Sequence, residues 1–193
     1  MGARENILAA IKANQPAIMA APESTIDWMV QYADNTAKFT QVLQGIGGET
    51  IQINPSASIE QILAQLSHNK AFVINTLQQT VLEKEQVKNY AVADLAFLDM
   101  AIIQGAVGVA ESGAIWVSES QMGSRILPFI CEHLVILLDA KNIVSNLGIA
   151  YQQINAFKEG FGVLIAGPSK TADIEQSLVI GAHGPKRCTV VLV

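Results

Sequence analysis

Residues 134–138 read Leu-Val-Ile-Leu-Leu, a run with no polar position to turn toward water. Successive side chains of a β-strand point to opposite faces, so a strand of this kind is stable only where both faces are covered. The stretch Val163–Ala166, within a strand expected over Phe161–Ala166, has the same character, and a further strand is expected at Cys188–Val193. None approaches the roughly 20 apolar residues that a membrane-spanning helix needs. Helices packed on both sides of a sheet supply such cover, and the pattern predicts an α/β fold with a mostly parallel sheet.

The rest of the chain supports that alternation. Strands are predicted at Glu49–Ile53, Ala71–Ile74, Val107–Ala110 and Ala114–Ser118, and helices at Ser58–Leu66, Glu83–Tyr90 and Ala140–Phe157. Two of those strands flank Glu111-Ser112-Gly113, a spacing that suits a β-hairpin with its glycine in the turn. Near the start, Ile7, Leu8 and Ile11 form a short helical stripe. A longer helix is expected from Ser24, with Asp27 three residues on as in a capping box, to Ile46, where Gly47-Gly48 stops it. The expected organisation is a helical segment over residues 1–46 packed on one α/β domain over residues 47–193.

Charge narrows the partners. A net charge of -5, with no run of Lys or Arg, leaves no electrostatic footprint for nucleic acid or for an anionic membrane surface. Small molecules and other proteins are the expected partners, and no segment predicts membrane insertion. The chain has two cysteines, Cys131 and Cys188, each among apolar residues, which reads as buried reduced thiols in a cytoplasmic protein. Two cysteines cannot supply the four thiolates of an iron-sulfur cluster. His68, His133 and His183 show no metal-ligand spacing, and adjacent residues in Cys131-Glu132-His133 point in different directions. No metal and no cofactor are expected.

Three stretches are candidates for chemistry. At the hairpin tip, Glu111 is either an ordinary polar turn residue or a carboxylate base, nucleophile or substrate-positioning group, with Ser112 and Gly113 beside it. Arg125 has the planar fork that grips a carboxylate or phosphate, or is a surface arginine. In Gly167-Pro-Ser-Lys-Thr-Ala-Asp-Ile-Glu175, Asp173 fits the N-cap of a short helix that ends at Gly181. Ser169, Thr171, Asp173 and Glu175 are then either cap chemistry or one wall of a pocket. Asp173 and Glu175 suit such a pocket to hydroxyls, a neutral ligand or a cation rather than a bare phosphate, unless Lys170 compensates their charge. His183, followed by Gly184-Pro185, is an exposed turn residue or a proton donor.

The ordered series Gly108-Val-Ala-Glu-Ser-Gly113, Arg125 with Leu127-Pro128, Gly167-Pro-Ser-Lys-Thr-Ala-Asp-Ile-Glu175 and Gly181-Ala-His-Gly-Pro185 resembles the lactate-utilisation LUD family. The resemblance covers roughly residues 38–193. It implies a NagB/RpiA/CoA-transferase-like fold and an accessory or substrate-binding role in oxidising L-lactate to pyruvate beside iron-sulfur subunits, with a small carboxylate as ligand. It identifies no catalytic residue, and Glu111 and His183 are the candidates. The alternative is a free-standing enzyme of that fold acting on an acyl, sugar or folate-like substrate.

Overall fold

The computed structural model describes residues 2–16, 19, 30–53, 58–77, 90–154, 160–172 and 178–193. Five strands form a wholly parallel sheet in the order β1 (Glu49–Gln52), β11 (Arg187–Leu192), β6 (His133–Leu138), β3 (Met100–Gln104) and β2 (Val73–Asn75). The all-apolar run predicted to need cover on both faces is β6, at its centre.

Strand periodicity sorts the side chains into two cores. Met100, Ile102, Val135 and Val191 cluster with Leu63 of helix α3 (Ile59–Ser67). Ser58 starts α3, its Oγ accepting from the Gln61 N–H at 3.1 Å. On the other face, Ala101, Ile103, Leu134, Ile136, Leu138, Val190 and Leu192 cluster with Phe39 and Leu43 of α2 (Asn35–Gly45) and with Ile115 and Val117. Phe39 and Leu43 are fully buried, each contributing about 1.5–3 kcal/mol.

Ile115 and Val117 belong to a second sheet, ordered β7 (Ile143–Val144), β4 (Val107–Val109), β5 (Ala114–Ser118) and β8 (Gly162–Ile165). Its β4–β5 hairpin is the one predicted, and β5 pairs antiparallel with β8. The outer face of this sheet, Val107, Val109, Ala114 and Val144, packs on Ala150 of α7 (Leu147–Gln153). The order is thus helix, parallel sheet, second sheet, helix. Shorter helices, α4 (Val92–Leu95), α5 (Glu119–Met122) and α6 (Leu127–Ile130), turn the chain between strands, and α1 (Ala3–Ala13) buries no residue.

Several expectations need correction. The helix ending before Gly47 starts at Asn35, because Asp34 caps it through its Oδ1 and the Ala37 N–H at 2.9 Å; residues 30–34 are not helical. Ser24 and Asp27 lie outside the described residues, as do residues 83–89 of another predicted helix. The helix expected over Ala140–Phe157 gives way to a short 3-10 turn (Ala140–Asn142) and β7, and α7 begins only where the Asn146 side chain accepts from the Ile149 N–H. The short helix expected before Gly181 is replaced at Leu178–Ile180 by β10, antiparallel to β9 (Lys170–Ala172). Strand β3 was not foreseen: Met100-Ala-Ile-Ile103 is apolar on both faces and shows neither period.

At the hairpin tip, Gly113 adopts φ +66°, and a Cβ there would lie 3.1 Å from the Leu43 main chain. Gly113→Ala therefore combines left-handed strain of about 1–3 kcal/mol with a helix that must shift. The melting temperature should fall by at least roughly 2–4 °C, the shift that ~1 kcal/mol gives at this size; an unchanged melt in circular dichroism would contradict this packing.

Candidate functional site

The candidate residues occupy two ends of the second sheet. At one end, β5 and β8 are in register from Ile115 opposite Ile165, which carries Gly113 toward Gly167. Both glycines have positive φ and both press on the end of α2: Gly113 on Leu43, and Gly167, at φ +69°, where a Cβ would lie 3.3 Å from the Ile46 carbonyl oxygen. The hairpin tip and the Gly-Pro-Ser turn are neighbours under one helix terminus.

Glu111 nevertheless faces away from that turn. Its Oε1 accepts from the Leu147 N–H at 2.7 Å, and its own N–H donates to the Ser145 carbonyl. The carboxylate completes the start of α7, where free N–H groups favour an anion. Ser112 turns inward on its own loop, its Oγ accepting from the Ala114 N–H at 3.3 Å.

Arg125 lies beyond the opposite end of β5. Its Nε and Nη2 donate to the two carboxylate oxygens of Glu119 at 2.8 and 2.7 Å, and its guanidinium stacks 4.7 Å from the centre of the Phe161 ring. The hydrogen bonds to Glu119 raise its pKa further. At about 3.4 Å per residue, Ala114 and Ser118 stand roughly 14 Å apart. No three-carbon acid reaches both Arg125 and the hairpin tip.

What does converge is the C-terminal pair of motifs. The Ser169 N–H donates to the Pro185 carbonyl at 2.9 Å, and the Gly181 N–H donates to the Ser169 carbonyl at 3.0 Å. Gly184 lies so close to Ser169 that a Cβ would come within 2.9 Å of the serine Cβ. These contacts frame a cleft of about 300 Å³ bounded by Pro128, Phe129, Ser169, Lys170, His183 and Gly184 against β8. His183 and Lys170 are exposed there. Thr171 sits in β9 opposite Val179. Asp173 and Glu175 lie outside the described residues.

Sequence reasoning passed over Phe129, whose ring is 43% exposed beside the cleft, an apolar surface that packing alone does not require. It also passed over the surroundings of His133. That residue opens β6 at 3% exposure, and its Nε2 lies 2.8 Å from Thr189 Oγ1. The Thr189 hydroxyl donates to Glu49 at 3.2 Å, so Nε2 carries the imidazole hydrogen and donates to Thr189. Nδ1 is left as a buried acceptor with no partner among the described residues. Burial, and then the Arg187 charge, push the His133 pKa down to about 4, with Lys70 adding to the effect and Glu49 opposing it. A histidine heading an apolar strand was the available signal.

The sequence model of the LUD domain family matches residues 16–193. The chain belongs to the LUD domain family. Lactate utilization protein C of Macrococcus caseolyticus is 32% identical over 117 residues, which cover 58% of this chain and 50% of that protein. Lactate utilization protein C of Bacillus pumilus is 34% identical over 91 residues, covering 44% and 38% respectively. This LUD chain thus spans half or less of each of these two relatives. A crystal structure of a DUF162 family protein from Deinococcus radiodurans has the same fold, with a TM-score of 0.63 over 82% of this chain and 96% of its own, at 20% identity. Among the described residues, no helix of this LUD domain is long and apolar enough to cross a membrane.

Two predictions follow from these placements. An exposed anion at a helix start is worth about 0.3–1 kcal/mol, so Glu111→Gln should lower the melting temperature by roughly 1–4 °C, and Glu111→Ala, which also removes the acceptor, by more. For His133, the unfolded chain takes up a proton near pH 6.5 while the folded chain resists until about 4. Protonation therefore favours the unfolded state, and stability should decline as pH falls from about 6.5 to about 4. Denaturant titrations across that range should lose this part of the slope in His133→Gln.

Proposed function

We propose that this LUD chain is the substrate-binding component of a lactate-oxidising system, acting in the cytosol beside iron-sulfur partner proteins. The observation that carries the reading is convergence: Ser169, Lys170, His183 and Gly184, drawn from the two C-terminal motifs of the family resemblance, border one cleft. The names of the relatives supply the substrate class.

The cleft suits a short 2-hydroxy acid. Lys170 would pair with the carboxylate as a compact charge, Ser169 would bond the carboxylate or hydroxyl, and the methyl group would lie on Phe129 and Pro128. Lactate and pyruvate differ by two electrons and two protons. In this scheme the His183 imidazole takes the hydroxyl proton, the second proton goes to water, and the electron pair goes to the iron-sulfur partners as oxidant. Cys131 and Cys188 do not enter, since burial pushes both thiols up to about 12. Glu111, committed to Leu147, gives no support to the alternative in which it attacks an acyl group.

Titration of the purified chain with L-lactate and with pyruvate, followed by NMR of the histidine rings, tests this. A saturable shift of the His183 resonance is expected. Lys170→Met should weaken binding by about 10–100-fold, the loss of one charge-assisted hydrogen bond worth ~1.5–3 kcal/mol. Its melting temperature should stay within about 2 °C, as for an exposed substitution. His183→Gln should fail to restore growth on lactate in a host lacking its own relative. Absence of saturation by either acid, together with full growth of the variant, would sink the reading.

A further inference from the structure

A second cleft, of about 390 Å³, opens at the amino ends of the parallel strands, beside the end of α3. Its apolar side is Ile51, Ile62 and Leu66; its polar side is His68, Lys70, Arg187 and His133. It shares no lining residue with the cleft of Ser169 and His183.

The charges here do not cancel. Glu49 is the carboxylate that meets Arg187, and it engages only Nη2, at 3.0 and 3.1 Å, leaving Nε and Nη1 without a bond among the described residues. Lys70 forms no ion pair among the described residues. Below them His133 is buried, and its Nδ1 is the buried side-chain atom with no partner among the described residues. Burial does most to depress the His133 pKa; Arg187 and Lys70 lower it further and Glu49 opposes them. A cation without a carboxylate partner among the described residues, Lys70, thus stands with the half-engaged Arg187 beside an apolar wall.

We propose that this cleft is a binding site for a small monocarboxylic acid with an apolar body, its carboxylate on Lys70 and the free edge of Arg187 and its body against Ile51, Ile62 and Leu66. A bare phosphate or acetate would meet the cations but leave the apolar wall wet. Burying a branched or aromatic body adds about 25 cal/mol per Å² of area removed from water, which selects against the smaller anions. The site is independent of lactate binding at His183.

The test is titration of the full chain with 3-phenylpropionate, with acetate and inorganic phosphate as controls, monitored by calorimetry and by the His133 ring resonance. Saturable binding of 3-phenylpropionate at least tenfold tighter than either control is expected, with the His133 signal shifting along the same isotherm. Lys70→Met should weaken that binding about tenfold or more, with the fold checked by circular dichroism, whereas His183→Gln should leave it unchanged. Leu66→Gln, a second route that keeps the charges, should reduce the preference for 3-phenylpropionate over acetate. No saturation, equal affinity for all three anions, or a His133 resonance that stays fixed while binding proceeds would each overturn the proposal.

Discussion

The parallel sheet cannot exist half-covered. Its central strand β6 is apolar on both faces, and every pairing in the sheet is parallel, so water must be excluded from both sides at once. Helix α3 seals one side, and α2 with the second sheet seals the other. That second sheet then has an outer face of its own, which α7 closes. The layers follow in sequence from one run of five side chains, and the clefts lie where the layers end: at the loops beyond β8, and at the amino edge below α3.

How far the sequence discloses this depends on contrast between neighbouring residues. β6, β11 and the β4–β5 hairpin were legible because apolar runs are bounded by turn residues such as Glu111-Ser112-Gly113. Strand β3 was not, since Met100-Ala-Ile-Ile103 continues the apolar Leu95-Ala-Phe-Leu98 with only Asp99 between them and shows neither period. The start of α2 was misplaced because Ser24 and Asp34 are both good caps, and only tertiary packing of Phe39 and Leu43 selects the second. For Lys170–Ile180, a capping pattern in the sequence competed with strand pairing, and where the chain is described β9 and β10 pair with each other.

The candidate site shows a related limit. Of the motifs that the sequence offers for chemistry, the two C-terminal ones border one cleft. Arg125 already has its carboxylate in Glu119, and Glu111 has its N–H in Leu147. Neither partnership is visible without the fold: a carboxylate six residues away looks like any surface charge, and Leu147 lies 36 residues from Glu111. Residue types announce what chemistry is possible; burial and competing partners decide which of it stays available.

The position of β11 has a consequence for synthesis of the chain. Thr189 lies 140 residues beyond Glu49, yet β11 sits between β1 and β6 rather than at an edge. At roughly 5–20 residues per second, β1 leaves the ribosome about 7–28 s before the strand it pairs with exists. In the last part of that interval, once β6 has been made, it offers a bare, largely apolar flank, the kind of surface on which unfinished chains associate. A ribosome that stalls just before Arg187 would release not a protein short of one strand but one in which β1 also has nowhere to dock.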